Sequence, residues 1–284
     1  TVTDTELETE LKKDTDFTFT YSNNVNAGEN TASVTITGKG NYTGSVTLQF
    51  TIKKRPVKFT AVSEEKPYTG SEIEITDLTV SSGVNQGLVA GHKHNVEFSA
   101  SGTEASAVPY TGTITAKSAV EITLADGTDV TENYDITVIN GTLTINKTDE
   151  EFTVALPSDS YTYDAAPHYN KKTVSDTAKT GTTTYQYSFT KEGGYKSSLS
   201  ELTKTNAGTY TIYIKATNPN YNKTAESSSS LIIEKKAITV AVAGKQVTKE
   251  YDGAEHTAEG YTLNANSTLY DVSSVSFTGN KKVT

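Results

Sequence analysis

From Tyr210 to Ala216 the apolar side chains fall on every second residue: Tyr210, Ile212, Ile214 and Ala216, with Thr211, Tyr213 and Lys215 between them. A period of two places the first set on one face of an extended strand and the second set on the other, so the stretch reads as a strand with one buried face. The turn Asn218-Pro219-Asn220-Tyr221 follows, then a second strand closing on Leu231-Ile232-Ile233-Glu234. After Lys235-Lys236 a fresh alternating run opens at Ile238. The same order occurs near the start, where Asn26-Ala27-Gly28 leads to Ala32, Val34 and Ile36 on one face. There the turn is Gly40-Asn41-Tyr42, the second strand carries Val46, Leu48, Phe50 and Ile52, and the run ends in Lys53-Lys54. A unit that alternates, turns on Asn and Tyr and restarts after lysines specifies a tandem array.

Three markers return together. A Tyr-centred turn stands at Tyr68-Thr69-Gly70, Tyr163-Asp164-Ala165 and Tyr251-Asp252-Gly253. An Asn-Tyr pair stands at 41–42, 133–134 and 220–221, and a closing strand ends at Ile52, Ile145 and Ile233 with a lysine within two residues. The period is about 90 residues, too long for a solenoid unit and right for immunoglobulin-sized domains. New first strands are expected at 56–59, 152–156 and 238–240. The modules therefore run 1–54 (the back portion of one), 55–147, 148–236 and 237–284 (the front portion of another). Thr, Val, Ile, Tyr and Phe dominate, with Gly, Asn and Asp as frequent punctuation, so the fold class is all-β: tandem Ig-like β-sandwich modules end to end. Thr131–Asn133 and Ser198–Leu202 read as single helical turns. The second of these leaves a β-grasp module, a sheet crossed by a short helix, as the alternative for 148–236. Thr5–Lys13 reads as strand or frayed coil. Joints of only a few residues make the expected array a monomeric rod with little bending.

Composition narrows the partners. The 284 residues carry a net charge of −9 and no basic patch interleaved with aromatics, so a phosphate backbone is repelled and nucleic acid is not an expected partner. No apolar run is long enough to span a bilayer, so no membrane insertion is expected in this segment. Without cysteine there are no disulfides or thiolate ligands. With Thr and Ser abundant, that absence fits a surface protein of a Gram-positive type of bacterium better than an animal ectodomain. A chain that opens on Thr and holds no methionine is expected to be a fragment.

At several of these stretches the chain resembles the MBG or YDG tandem repeats of bacterial cell-surface proteins. The stretches are Asp14–Gly28, Gly38–Gly44, Asp129–Ile136 and Gly141–Ile145, with Tyr-Asp-Gly intact at 251–253 and relaxed to Tyr-Thr-Gly at 68–70 and Tyr-Asp-Ala at 163–165. The resemblance covers nearly the whole chain. It implies extracellular stalk or adhesin modules, cell-wall attached or secreted, and brings no catalytic residues.

The candidate chemistry is thin. Gly38-Lys39-Gly40-Asn41-Tyr42-Thr43-Gly44 looks like a phosphate loop, but its last gap is a residue too long and a strand follows, so a glycine hairpin turn is expected. His92 and His94 would share a strand face, a geometry zinc uses, but no further ligand is near in sequence. Asp126, Asp129, Glu132 and Asp135 crowd one loop, and Asp149-Glu150-Glu151 fills a joint. Both could hold calcium, yet the joints at Lys53-Lys54-Arg55 and Lys235-Lys236 are basic. Lys58 and Asn140 are conceivable partners for an isopeptide bond, although Lys58 alternates outward from Val57 and Phe59. Ser227–Ser230 and Thr182–Thr184 read as exposed or edge-strand tracts. No catalytic, cofactor-binding or metal residue is assigned, and no cofactor.

The expected role is a stalk or spacer that presents a terminal head, not an enzyme. The alternative is an adhesin whose modules bind host glycans or proteins, with Tyr185, Tyr187 and Tyr195 as the best sugar-stacking cluster. Alternation makes Tyr185 and Tyr187 core candidates as well. A noncatalytic part of a secreted glycan-degrading enzyme is the third option.

Overall fold

A computed structural model describes residues 1–115, 119–258 and 260–273. The expected module at 237–284 is thus described except for 259 and 274–284, which lie outside the described residues. The chain divides into two compact units, Thr1–Thr148 and Asp149–Thr284. Among the described residues there is no α-helix; the helical turns are two short 3-10 segments, Thr131–Asn133 and Leu199–Glu201. The fold is all-β, built from Ig-like β-sandwich modules in tandem. The β-grasp alternative falls here. The Ser198 region makes one capped turn, with Ser198 Oγ accepting from the Ser200 amide, and no helix crosses a sheet.

In the first unit a three-stranded antiparallel sheet comes from Phe17–Ser22, Gly28–Gly38 and Ser45–Ile52. The register sets Phe19 opposite Ile36 and Tyr21 opposite Val34, then Ile36 opposite Val46 and Val34 opposite Leu48. One face is therefore apolar throughout, as the alternation requires. The Gly38–Gly44 segment is the hairpin turn between the second and third of these strands. The Gly38 amide donates to Gly44 O at 2.9 Å, and Gly40 adopts φ 66°, a left-handed conformation that glycine enters without a Cβ clash. Thr5–Lys13 contributes a minimal hairpin, Thr3–Asp4 against Thr9–Glu10.

From Arg55 the sheets are new. Arg55–Ala61 pairs in parallel with Tyr134–Ile139 and antiparallel with Leu78–Val80. Glu64–Pro67 pairs in parallel with Thr142–Asn146. A first strand running beside the last, with hairpin partners between, is the Ig-like arrangement. Val57, Phe59, Val96, Ile122 and Tyr134 form the core between the sheets. Phe98 needs glycine opposite it: a Cβ on Gly112 would stand 2.3 Å from its ring. Lys58 is exposed, opposite Thr137 in register, so it lacks the burial that isopeptide chemistry needs. Asn140 is also engaged elsewhere, accepting from the Ile114 amide at 3.0 Å.

In the second unit a four-stranded sheet runs in the order Asp159–Thr162, Ala225–Glu234, Gly208–Thr217, Thr184–Ser188. Ile212, Ile214 and Ala216 are buried against Leu231 and Ile233, while Thr211 and Thr217 are exposed, which is the alternation read from the sequence. Ser227–Ser230 departs from expectation. It lies in an interior strand of this sheet, with Ser227 opposite Ile214 and Ser229 opposite Ile212 on the core face. The two hydroxyls are buried with no hydrogen-bond partner among the described residues. A serine is small enough to sit where the facing isoleucines fill the space, so the tract reads as polar although its position is interior. Val240–Gly244 and Tyr261–Ala265 form a further antiparallel pair.

Candidate functional site

The polar residues singled out for chemistry are taken up one by one in structural contacts. In the acidic loop, Asp126 Oδ1 accepts from the Thr128 amide at 3.0 Å, and Asp129 Oδ1 accepts from both the amide and the hydroxyl of Thr131. These bonds favour the charged form, so the Thr128 amide holds Asp126, and the Thr131 hydroxyl and amide hold Asp129, below the usual carboxylate range. Glu132 reaches instead to Lys54 at 3.1 Å, and Asp135 lies on an exposed strand position opposite Pro56. The four carboxylates do not converge. Asp126 and Asp129 serve their own turns, and Glu132 pairs with Lys54.

The acidic joint is likewise engaged, by its own module. Asn222 donates to Asp149 at 2.8 Å, Lys179 pairs with Glu150 at 3.2 Å and Lys223 with Glu151 at 2.9 Å. Lysines supply here the positive charge that a calcium ion would bring. His92 and His94 part company. The first shares a 2.7 Å hydrogen bond with the buried Tyr134 hydroxyl, and the second accepts from the Val96 amide and packs tilted against the Phe59 ring at 4.9 Å. Among the described residues no cluster of three metal-ligating side chains forms.

The three tyrosines of the cluster are engaged within the fold. Tyr187 is 6% exposed, Tyr185 donates its hydroxyl to Asp176, and Tyr195 donates to Lys191 O while Lys215 covers its ring at 4.8 Å. Burial, with Asp176 beside it, pushes the Tyr185 phenol up to about 12. Tyr161 stands alike: burial and the Asp159 carboxylate raise it to about 12, and its ring stacks on His168 at 4.3 Å. Stacking on sugars needs a free aromatic face, and these faces or hydroxyls are occupied.

What the structure does assemble is a set of anchors at the recurring motifs. In each Asn-Tyr pair the tyrosine hydroxyl holds a distant segment: Tyr42 reaches Asp4, Tyr134 receives the Val89 amide, and Tyr221 receives the Lys179 amide. The Asn-Ala-Gly turns meet residues far along the chain. Asn133 accepts from the Ala27 amide at 2.7 Å and donates to Asn26 Oδ1 at 3.1 Å, next to the Lys54–Glu132 ion pair. In the second unit Asn206 and Ala207 line a cleft of about 330 Å³ with Tyr163, Ile238, Leu269 and Tyr270. These long-range contacts of the Asn-Ala-Gly turn were missed in the sequence. Its only signal is that it recurs with the same strand behind it.

A second recurrence is equally silent in the sequence. Asp164 accepts from the Ala166 amide and meets His168 Nε2 at 2.8 Å, and Asp252 accepts from the Ala254 amide and meets His256 Nε2 at 3.0 Å. The Ala166 amide, then His168, keep the Asp164 carboxyl below its ordinary range. At the equivalent turn of 55–147 the two positions are Thr69 and Ile73, so the pair is absent as a pair. Two further surface depressions are an open groove of about 510 Å³ beside Glu74, Asp77, His94 and Glu97, and one of about 530 Å³ beside Tyr169, Lys171 and Lys172. Both are shallow and open to solvent.

No family model matches the chain, and no curated protein matches it. Among solved structures it is similar to the fibronectin(III)-like modules of Clostridium thermocellum CbhA, at 14% identity over 62% of this chain and 91% of that one, with a TM-score of 0.22. Drosophila N-cadherin EC1-3 aligns at 8% identity over 80% of this chain and 92% of that chain, TM-score 0.22. A Dscam structure aligns at 7% identity over 87% and 68%, TM-score 0.20. At these values no residue of a neighbour is placed on a residue of this chain.

Proposed function

We propose that this chain is a non-catalytic repeat segment of an extracellular, bacterial cell-surface protein of the MBG/YDG kind. Its modules, with boundaries at 1–54, 55–147, 148–236 and 237–284, act as a spacer that presents a terminal head. The observation that carries this reading is the amide clasp at the first seam, where Asn133 holds both Asn26 and Ala27 across it. A spacer transmits position only if successive modules are fixed by contacts beyond the linker, and this clasp is such a contact. The occupied tyrosine, histidine and carboxylate candidates support the same reading, because groups committed to turns and seams are not available to a ligand.

A panel of host glycans and matrix proteins probed with the full chain tests it. The spacer reading predicts no saturable binding to any of them. Tight, saturable binding that Tyr195→Ala abolishes without lowering the melting temperature would establish the adhesin reading instead.

A further inference from the structure

In 55–147 and 148–236 an early strand runs beside the closing strand in the same direction. Arg55–Ala61 is parallel to Tyr134–Ile139, and Glu64–Pro67, in a second sheet, is parallel to Thr142–Asn146. In 148–236 the equivalent pair is Asp159–Thr162 with Ala225–Glu234. The Tyr turn ends the pairing in both. The Tyr68 amide donates to Asn146 O at 2.8 Å, and the Tyr163 amide donates to Glu234 O at 2.9 Å. The recurring turn thus closes the last rung between early and closing strand.

Covalent order decides how a pull along the chain reaches these strands. Tension enters 55–147 at Lys54 and leaves it at Lys147, so it draws Arg55 backward and Asn146 forward. Parallel strands drawn from opposite ends slide along each other, and the evenly spaced ladder bonds between them are strained together. The antiparallel pair Gly208–Thr217 and Ala225–Glu234 shows the other case. Gly208 stands opposite Ile233, so a pull on those two ends opens that ladder one rung at a time. The two parallel clamps differ in extent. That of 55–147 has six paired positions in one sheet and four in the other, and its strands carry the buried Val57, Phe59, Leu143 and Ile145. Side chains tie it further: the Thr142 amide donates to Ser63 Oγ at 3.1 Å, and Asn146 Nδ2 donates to Glu65 at 3.2 Å. That of 148–236 has four paired positions, and the strand before it, Val154–Ala155, pairs with Ser175–Asp176 instead of the closing strand.

We propose that these two modules bear tension, each through a parallel clamp loaded in shear, and that 148–236, with the shorter clamp, yields before 55–147. A strong pull then lengthens the chain by one module while the longer clamp holds. This load-bearing role goes beyond the spacer reading and stands or falls apart from glycan binding.

The chain has no cysteine, so introduced cysteines alone place the handles for optical tweezers on the full chain. Lys53→Cys with Lys147→Cys loads 55–147 in shear, and Lys147→Cys with Lys235→Cys loads 148–236. Each opening should lengthen the tether by close to the extended length of its module, about 3.3–3.6 Å per residue. At one pulling rate, 148–236 is expected to open at the lower force. Within 148–236, Ser158→Cys with Lys235→Cys keeps the shear geometry, whereas Ser158→Cys with Ser228→Cys pulls both strands from the same end. The opening force should fall severalfold in the second arrangement. All five positions are exposed, so melting temperatures should not change, and forced opening reads the unfolding barrier in the chosen direction. Equal forces for the two Ser158 handle pairs would overturn the shear clamp. An opening of 55–147 at a force below that of 148–236 would overturn the order.

Discussion

Ala165 carries a backbone that suits glycine. Its φ of 66° matches Gly70 and Gly253 at the same place in the other two Tyr turns, at 85° and 77°. A Cβ in the left-handed region costs about 1–2 kcal/mol, part of which glycine returns through its greater freedom in the unfolded chain. Ala165→Gly is therefore expected to stabilise its module by about 0.5–1 kcal/mol, read as a higher melting temperature of the full chain by calorimetry. Tyr185 makes a prediction about alkali. Its folded pKa is raised, from 10.0 to about 12, so the stabilisation is complete below the unfolded value and is lost as pH rises through the folded one. The melting temperature should fall across that window, and Tyr185→Phe should flatten the fall while costing about 1 kcal/mol at neutral pH for the lost bond to Asp176. A melting temperature that falls equally in both proteins would contradict this.

At the scale of elements the turns decide the architecture. The Asn218-Pro219-Asn220-Tyr221 turn buries two amides. Asn218 donates to Thr180 O and Thr183 Oγ1, Asn220 donates to Thr180 O and Thr180 Oγ1, and Asn220 is 0% exposed. Asn220→Ala removes a fully buried amide together with its two bonds to Thr180, a loss of about 1–3 kcal/mol that urea denaturation would register, whereas Asn222→Ala on the exposed side should cost under about 1 kcal/mol. Strands were legible in the sequence wherever burial imposes a period of two, as at Ile212, Ile214 and Ala216. Their interior position was illegible where the core face carries serine, as at Ser227 and Ser229, because a buried hydroxyl gives no apolar signal. The partners of the polar candidates were illegible for a related reason. The groups that occupy them, Tyr134 for His92 and Lys179 and Lys223 for the acidic joint, lie tens of residues away in sequence, and only the sheet register brings them together.

Several small cores leave more surface in water than one large core, and without disulfides each must stand on its own burial. In this account the core of 148–236 belongs to that segment alone: Phe152, Val154, Leu156, Ile212, Ile214, Leu231 and Ile233 are all buried within it. Thermal unfolding of residues 148–236 expressed by themselves is the most direct measurement. A single cooperative transition above room temperature is expected, with the β-sheet circular dichroism of its four-stranded sheet. A segment that is unfolded by itself, yet ordered within the full chain, would contradict it.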